Sequence, residues 1–171
     1  GASVSPAPST SPTVMDKDGI AIDFGGDVTL FFDNNGTATA TMILYKTETH
    51  ISITAAEVEA DGVTTGPGYD LYLDVVHGIP AYFAVTGISG SMTAGTTQDI
   101  TISAYDTWNN LASDYTGNQD IVFSGANASP YEPAPKANPA AGTPPTITDK
   151  DGLAVDFGIA ATLVFIEGVT N

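Results

Sequence analysis

Apolar and polar residues alternate along most of this chain. In "TATATMILY" (Thr37–Tyr45), the alanines, the methionine and the leucine share one face, and the threonines share the other. "YDLYLDVV" (Tyr69–Val76) and "DITISAYD" (Asp99–Asp106) alternate in the same way. A period of two is typical of a half-buried strand, because successive side chains of a strand point to opposite faces. The pattern therefore predicts strands in these three segments.

Shorter alternating runs extend this prediction to the rest of the chain. We predict further strands at Ile20–Phe24, Val28–Phe32, His50–Thr54, Ala81–Gly87, Asp120–Gly125, Leu153–Phe157 and Ala161–Phe165. Turn signals rich in glycine and asparagine, such as "NNG" and "GPG", separate the runs. No window of about 11 residues carries a capped apolar stripe at helical spacing. Many short strands joined by turns predict an all-β fold, arranged as an antiparallel sandwich.

One stretch of the sequence occurs twice. "PTVMDKDGIAIDFGGDVTLFF" (Pro12–Phe32) returns 133 positions later as "PTITDKDGLAVDFGIAATLVF" (Pro145–Phe165), with 13 of 21 positions identical. The separation is too wide for a solenoid, whose repeats span about 20–50 residues, and it fits a domain-sized repeat in a tandem array. We therefore expect the chain to hold about one and a third repeats and to begin and end within a repeat.

Charge and cysteine content exclude several classes of function. The 20 acidic residues stand against four Lys and Arg, which gives a net charge of −16. Nucleic acids and anionic membrane surfaces would repel such a chain, so neither is expected as a partner. The chain has no Cys and therefore no disulfide or thiolate chemistry. No apolar run reaches the length of about 18 residues that would predict membrane insertion, and the opening residues do not have the pattern of a signal peptide.

Two proline-rich stretches, Ala2–Pro12 and Ser129–Pro145, precede the two copies of "DKDG". Proline cannot donate to a sheet ladder, so neither stretch is expected to form an interior strand. We interpret them as extended, polyproline-like connections that lie over the sandwich. A disordered linker is the alternative.

Other residues resemble a known family. "YFAVTGISGSMTAGTTQDITISAYDTWNNLASDYTGNQDIVFSGA" (Tyr82–Ala126) is similar to the front half of immunoglobulin-like (Big-type) repeats, which recur in adhesins and surface filaments of bacteria and archaea. Asn34–Gly62 resembles the back half. The halves stand in reverse order, so the predicted domains are the C-terminal half of one repeat (1–78) and the N-terminal half of the next (79–171). The resemblance implies an immunoglobulin-like β-sandwich in a secreted or cell-surface protein.

The acidic residues around "DKDG" form the strongest polar cluster. The candidate metal ligands are Asp16, Asp18 and Asp23 with their equivalents Asp149, Asp151 and Asp156. Alternating carboxylates around a glycine turn are typical of calcium loops, although the bidentate Glu at the twelfth position is missing. The alternative is a solvated turn in which Asp side chains accept backbone N–H groups. Calcium is the one cofactor that the sequence suggests.

Other candidate sites have simpler interpretations. We interpret Asp106, Asn109, Asn110 and Asp114 as a hydrogen-bonded turn rather than a metal site, and His50 and His77 are isolated. Nothing surrounds a nucleophile or a carboxylate pair in the way that catalysis requires, so we predict that the chain is not an enzyme. Trp108 could stack on a sugar, but packing is the better interpretation. Asn35 and Asn127 begin glycosylation sequons in predicted turns.

These observations predict an extracellular structural module of a repetitive cell-surface or filament protein. We expect it to assemble head to tail with copies of itself by β-strand complementation, or to form part of a continuous tandem array. In either case, strand hydrogen bonds would join Asn34–Val76 to Tyr82–Ser124 of different repeats or subunits. The alternative is an adhesive or carbohydrate-binding module with a glycan as its partner.

Overall fold

The computed structural model of the protein describes residues 2, 9–59, 62–87, 90–129 and 142–167. These residues form eleven strands and no helix, which confirms the all-β prediction. The strands are β1 (Thr13–Met15), β2 (Ala21–Asp23), β3 (Met42–Ile43), β4 (Glu48–Ile53), β5 (Leu71–Val75), β6 (Pro80–Gly87), β7 (Ile100–Asp106), β8 (Gly117–Val122), β9 (Thr146–Thr148), β10 (Ala154–Asp156) and β11 (Ala160–Phe165).

The chain divides into two compact units. Unit 1 comprises Gly1–Ala84 with Ser103–Ala112, and unit 2 comprises Val85–Ile102 with Ser113–Asn171. Unit 1 contains a three-stranded sheet in the order β2-β1-β3 and the β4–β5 pair. Unit 2 contains the β9–β10 and β8–β11 pairs. The paired strands β6 and β7 contribute residues to both units.

In unit 1, β4 and β5 are antiparallel and the register shifts between Glu48 and Ile51. His50 lies within this bulge with a φ of 52°. Its backbone N–H donates to Asp74 on β5, which holds the irregular residue against the neighbouring strand. Ile51 follows the bulge with only 7% of its surface exposed, so the alternation predicted there points it inward.

The end of β7 and the turn after it supply most of the buried residues of unit 1. Ala104 and Ala112 are buried, and the Ala112 N–H donates to the Ala104 carbonyl. Asp106 and Asn110 are also buried, although both are polar. Buried polar groups need hydrogen-bond partners, and these two find them chiefly in each other and in distant backbone groups.

In unit 2, β8 and β11 form an antiparallel ladder of six residue pairs, from Ala160↔Val122 to Phe165↔Gly117. Ala161 of β11 has no exposed surface. The Phe165 ring meets the Tyr115 ring edge-on at a centroid distance of 5.2 Å. Burial on one face and exposure on the other is the pattern that the alternating sequence predicts for this strand.

Two of the predicted strands are shortened or missing in the structure, and the one predicted over Asp120–Gly125 lies at Gly117–Val122. The strand predicted over Thr37–Tyr45 is limited to Met42–Ile43. Val28–Phe32 is not a strand, because no neighbouring strand in the described part of the chain pairs with it. Alternation shows that a segment suits a sheet, but a ladder also requires a partner for its backbone groups.

The described residues bury few large side chains. The buried apolar residues in the described ranges are Pro12, Ile51, Ala104, Ala112 and Ala161. Many large hydrophobic residues are exposed, among them Phe31 at 77% and Tyr69 at 85%. The interpretation of the proline-rich stretches falls largely on residues 3–8 and 130–141, which lie outside the described residues.

Candidate functional site

The two copies of the repeated sequence are the most distinctive feature of the chain. We call Pro12–Phe32 the first copy and Pro145–Phe165 the second copy. Each begins with the same hairpin: β1 pairs with β2 from Thr13↔Asp23, and β9 pairs with β10 from Thr146↔Asp156. All three residue pairs correspond between the hairpins, so the shared sequence produces the same register in both.

An aspartate closes the loop of each hairpin. Asp16 Oδ1 accepts the backbone N–H groups of Asp18 and Ile20, each at 2.8 Å. Asp149 Oδ1 accepts the equivalent N–H groups of the second copy at 2.9 and 2.8 Å. Gly19 takes a φ of 78° and its equivalent takes 79°, a conformation that glycine adopts without the clash of a Cβ atom. The motif therefore forms a turn held by its first aspartate.

The next two residues of each loop form an ion pair. Lys17 Nζ lies 2.6 Å from Asp18, and Lys150 Nζ lies 2.7 Å from Asp151. The hydrogen bond to Asp151 raises the pKa of Lys150. All four groups are exposed or half-exposed, and a surface ion pair contributes little to stability.

The candidate calcium ligands do not gather at one point. Asp23 pairs across the hairpin with Thr13, and Asp156 pairs with Thr146, at the opposite end from the loop. Within the described ranges, no three His, Cys, Asp or Glu side chains are placed to hold a metal ion together. The calcium site stays a prediction from the sequence.

The two hairpins differ in the strands beside them. In the first copy, β3 pairs with β1 through Val14↔Met42, and the Met15 N–H donates to the Thr41 carbonyl at 2.8 Å. In the second copy, β9 has no third strand among the residues that the structure describes. After the hairpin it is the second copy that has a partner strand, because its β11 pairs with β8. The equivalent residues of the first copy, Asp27–Phe32, belong to no ladder in the described ranges.

We call Asp27–Phe32 the edge segment. It keeps the position of β11 relative to its hairpin: the Lys17 N–H donates to the Thr29 carbonyl at 2.8 Å, as the Lys150 N–H donates to the Thr162 carbonyl at 2.8 Å. The exposure of its side chains differs from that in β11. Phe32 is 62% exposed, whereas its equivalent Phe165 is half-buried against Tyr115.

A second polar centre lies in unit 1, around Asp106. Its Oδ1 accepts the N–H groups of Trp108 and Asn110, and its Oδ2 accepts the Gly78 N–H and the Asn110 side-chain amide, all at 2.8–3.0 Å. Burial acts to raise the pKa of Asp106, but these hydrogen bonds outweigh it and hold the pKa below its usual range. The carboxylate is fully committed to protein donors.

Asn110 connects this turn to a segment 65 residues away. Its Nδ2 donates to the Tyr45 carbonyl at 2.7 Å, and its Oδ1 accepts the Thr47 N–H at 2.9 Å. The Asn110 amide thus binds the backbone carbonyl before Lys46 and the backbone N–H after it, as the backbone of a neighbouring strand would. The interpretation of Asp106 and Asn110 as a hydrogen-bonded turn agrees with these contacts. The connection to Tyr45 and Thr47 could not be foreseen, because no local pattern indicates such a distant partner.

The remaining candidate residues lie apart from these two centres. The Trp108 ring packs on the Tyr45 ring at a centroid distance of 4.4 Å, as expected for a packing residue. Asn109 accepts a hydrogen bond from the Tyr82 hydroxyl. The His50 ring stacks on the Tyr72 ring. Asp114 also interacts with another group of the protein.

His77 Nδ1 lies 2.7 Å from the Gly78 carbonyl. The sequon residues Asn35 and Asn127 are both exposed. Asn35 follows Asp33, whose pKa is lowered by the N–H groups of Thr37 and Asn35. These positions are accessible, and the glycosylation of both stays a prediction.

No family model, curated protein or solved structure matches the chain. In the described part of the chain, no helix has the length and apolar character needed to cross a bilayer.

Proposed function

We propose that this protein is a non-enzymatic structural module of a repetitive extracellular protein, built on an immunoglobulin-like sandwich and joined to neighbouring copies through its sheets. One observation carries the proposal: the two copies of the hairpin have complementary partners. Among the residues that the structure describes, the first copy has β3 beside it but no strand equivalent to β8, while the second copy pairs its last strand with β8 but has no strand equivalent to β3.

A complete unit would place both partners around one hairpin. The chain supplies β3 and β8, but each is attached to a different copy of the hairpin. Strands without partners expose backbone N–H and C=O groups that favour pairing with another chain. A contact of this kind uses two different surfaces and does not close on itself, so it propagates as a fibre or an array.

The exposed apolar side chains support association. Besides Phe31 and Phe32 of the edge segment, Tyr69, Val76 and Ile79 are each more than three-quarters exposed. Large exposed apolar areas on a protein surface mark sites of interaction with other molecules. The net charge of −16 opposes association of identical chains at low ionic strength. Salt should therefore promote assembly, because ions screen the repulsion between acidic surfaces.

Sedimentation and electron microscopy test this proposal. We expect a concentration-dependent series of end-to-end oligomers that grows as salt is raised. A species that remains monomeric at high concentration, in both low and high salt, would contradict assembly from separate subunits. The continuous tandem array is then decided by the mass of the natural polypeptide, because an array requires a chain much longer than these 171 residues.

A carbohydrate-binding module is the second candidate. The observation in its favour is the exposure of Tyr69 and Tyr72, at 85% and 51% of their surface, with the Tyr72 ring stacked on the His50 ring. Exposed aromatic rings can stack on sugars. Binding to an array of glycans, lost on substitution of both tyrosines by alanine, would support this candidate over the first.

A further inference from the structure

We infer that the edge segment, Asp27–Phe32, is a docking strand and that its occupant is β8 (Gly117–Val122) of a second copy of this chain. The inference rests on the proposed function and makes it specific, because it names the two strands that meet and their register. It requires the edge segment of one chain to take the place that β11 occupies in another.

Sequence and position both support this exchange. Thr29, Leu30 and Phe32 are identical to Thr162, Leu163 and Phe165 of β11. The hydrogen bond from Lys17 to Thr29 reproduces the one from Lys150 to Thr162, so the edge segment already lies where β11 lies beside its own hairpin. The edge segment therefore shares three of its six residues and its placement with β11, but it is not paired with β8.

The ladder between β11 and β8 gives the register of the exchanged pair. β11 pairs Thr162 with Asp120, and the Thr162 hydroxyl donates to the Asp120 carboxylate at 2.6 Å. The 133-residue offset places Thr29 opposite Asp120, where its hydroxyl can make the same bond. The same offset places Phe32 opposite Gly117, in the position from which Phe165 reaches Tyr115.

Exchange preserves the β8 ladder and connects β8 to the hairpin that carries β3. The exchanged strand would make the same six backbone pairs that β11 makes. It is also continuous with a hairpin that carries β3, whereas the hairpin of the second copy has no third strand in the described residues. After exchange, one hairpin would therefore have strands from both halves of the repeat beside it. The number of backbone pairs is unchanged, since the displaced β11 gives up the six pairs that the edge segment gains, so the gain from exchange is the joining of both halves of the repeat at one hairpin.

The side chains predict how well the exchanged strand fits. Val28 would replace Ala161, which has no exposed surface, so its two additional methyl groups must enter a filled space. Phe32 would regain the contact that Phe165 makes with Tyr115. Phe31 would replace Val164, which is 54% exposed even within the ladder. Phe31 and Phe32 therefore form a matched pair, with only the second expected to contribute to docking.

Cysteine cross-linking tests the register. The chain has no Cys, so an introduced thiol is unique. A mixture of the variants Thr29→Cys and Asp120→Cys should form a disulfide-linked dimer of unlike chains under mild oxidation, since directly opposed strand residues meet the distance limits of a disulfide. Thr29→Cys mixed with Ile121→Cys is the control, because Ile121 points to the opposite face of β8. We expect cross-linking in the control to be slower by about tenfold or more.

The strength of association tests the fit. Phe32→Ala should weaken the association of chains by about tenfold or more, as expected for an aromatic anchor, and Phe31→Ala should change it by less than about threefold. Val28→Ala should strengthen association by about tenfold, because it restores the alanine that β8 accepts in its own chain. All three residues lie outside the ladders of the described residues, so circular dichroism should show that each variant keeps its fold.

The outcomes separate this inference from the proposed function. Assembly of the chain without cross-linking of Thr29→Cys to Asp120→Cys, or with equal effects of Phe31→Ala and Phe32→Ala, would overturn the docking strand and leave the proposed function standing. A chain that neither assembles nor cross-links would overturn both. Cross-linking at the expected pair, together with stronger association of Val28→Ala, would establish the strand and its register.

Discussion

The first and second copies of the repeated hairpin show which parts of a β structure are local. In both copies an aspartate accepts the same two N–H groups, a glycine takes the same positive φ, and the strands pair in the same register. The copies differ in the residues that follow. Ala160–Phe165 is a strand of six residues, whereas Asp27–Phe32 is not a strand despite sharing a threonine, a leucine and a phenylalanine with it.

The difference lies in the neighbours rather than in the segments. A hairpin loop is closed by groups that are a few residues apart, so its sequence is sufficient to form it. A strand after the hairpin needs backbone partners from elsewhere in the chain, and only the second copy has β8 beside it. The first copy instead lies in the unit that contains the Asp106–Asn110 turn.

The largest expected effect comes from disrupting the Asp106–Asn110 turn, which lies in the same unit as the first copy and not in that of the second. Asn110→Ala should destabilise unit 1 by about 3 kcal/mol, because it removes the side-chain partner of the Tyr45 carbonyl and of the Thr47 N–H, and one of the four donors to the buried Asp106 carboxylate. Hydrogen exchange should then accelerate at the first hairpin and remain unchanged at the second. Asn127→Ala, at an exposed position, is the control. Equal acceleration in both hairpins would show that the two copies do not differ in this support.

Acid should weaken the stabilisation that the Asp106–Asn110 turn gives to unit 1. The pKa of Asp106 is lower in the folded chain than its usual value, so its stabilising effect is present above the unfolded pKa of about 3.9 and is lost as pH falls through the folded value. Asp106→Asn should therefore cost about 2 kcal/mol at neutral pH and progressively less below pH of about 3.9. Chemical denaturation of both proteins from pH 7 downwards measures this difference. A cost that does not depend on pH would exclude the ionised carboxylate as the stabilising group.

Exchanging the residues at positions 28 and 161 tests whether the β8 strand beside the second copy makes its last strand more closely packed than the edge segment. Ala161→Val should destabilise unit 2 by about 1–2 kcal/mol, because Ala161 is fully buried and the larger side chain overfills its site. Val28→Ala makes the reverse change in the edge segment and should alter the stability of a dilute, unassociated chain by less than about 0.5 kcal/mol. Thermal unfolding of each variant gives both values. Similar costs for the two substitutions would mean that the edge segment is packed as closely as β11.

The smallest effect should be the same in both copies. Asp16→Ala and Asp149→Ala each remove the acceptor of two loop N–H groups, and each should destabilise its hairpin by about 1 kcal/mol. The loss is modest because water can replace the carboxylate at these exposed loops. Hydrogen exchange of the N–H groups of residues 18 and 20, and of 151 and 153, reports on the two loops separately. A large inequality would contradict the conclusion that the hairpins are locally determined.

Much of this fold can be predicted from alternation and turn chemistry. The strand predicted over Asp99–Asp106 lies at Ile100–Asp106, and the one predicted over Tyr69–Val76 lies at Leu71–Val75. The strand predicted over Val28–Phe32 is absent, although its sequence pattern is as regular as that of Ala161–Phe165, which is a strand. Pattern alone cannot reveal whether a partner strand is available.

The two polar centres also differ in how much of them the sequence predicts. The sequence suggested a turn held by Asp16 and Asp149 as the alternative to a calcium loop, and such a turn can be proposed from sequence because the loop N–H groups that each accepts lie within four positions. It also indicated a hydrogen-bonded turn at Asp106. It did not indicate that Asn110 binds the backbone on both sides of Lys46, because the two segments are far apart in the chain.

The sequence by itself determined the all-β character, the repeated hairpin and its register, because these depend on alternation and on hydrogen bonds between close neighbours. Tertiary structure alone decided that β11 would be a strand and the edge segment would not, and that Asn110 would connect two distant segments. The physical reason is the same in both cases. A backbone or amide group that must be paired on burial takes whichever partner the folded chain brings to it, and that partner lies many residues away.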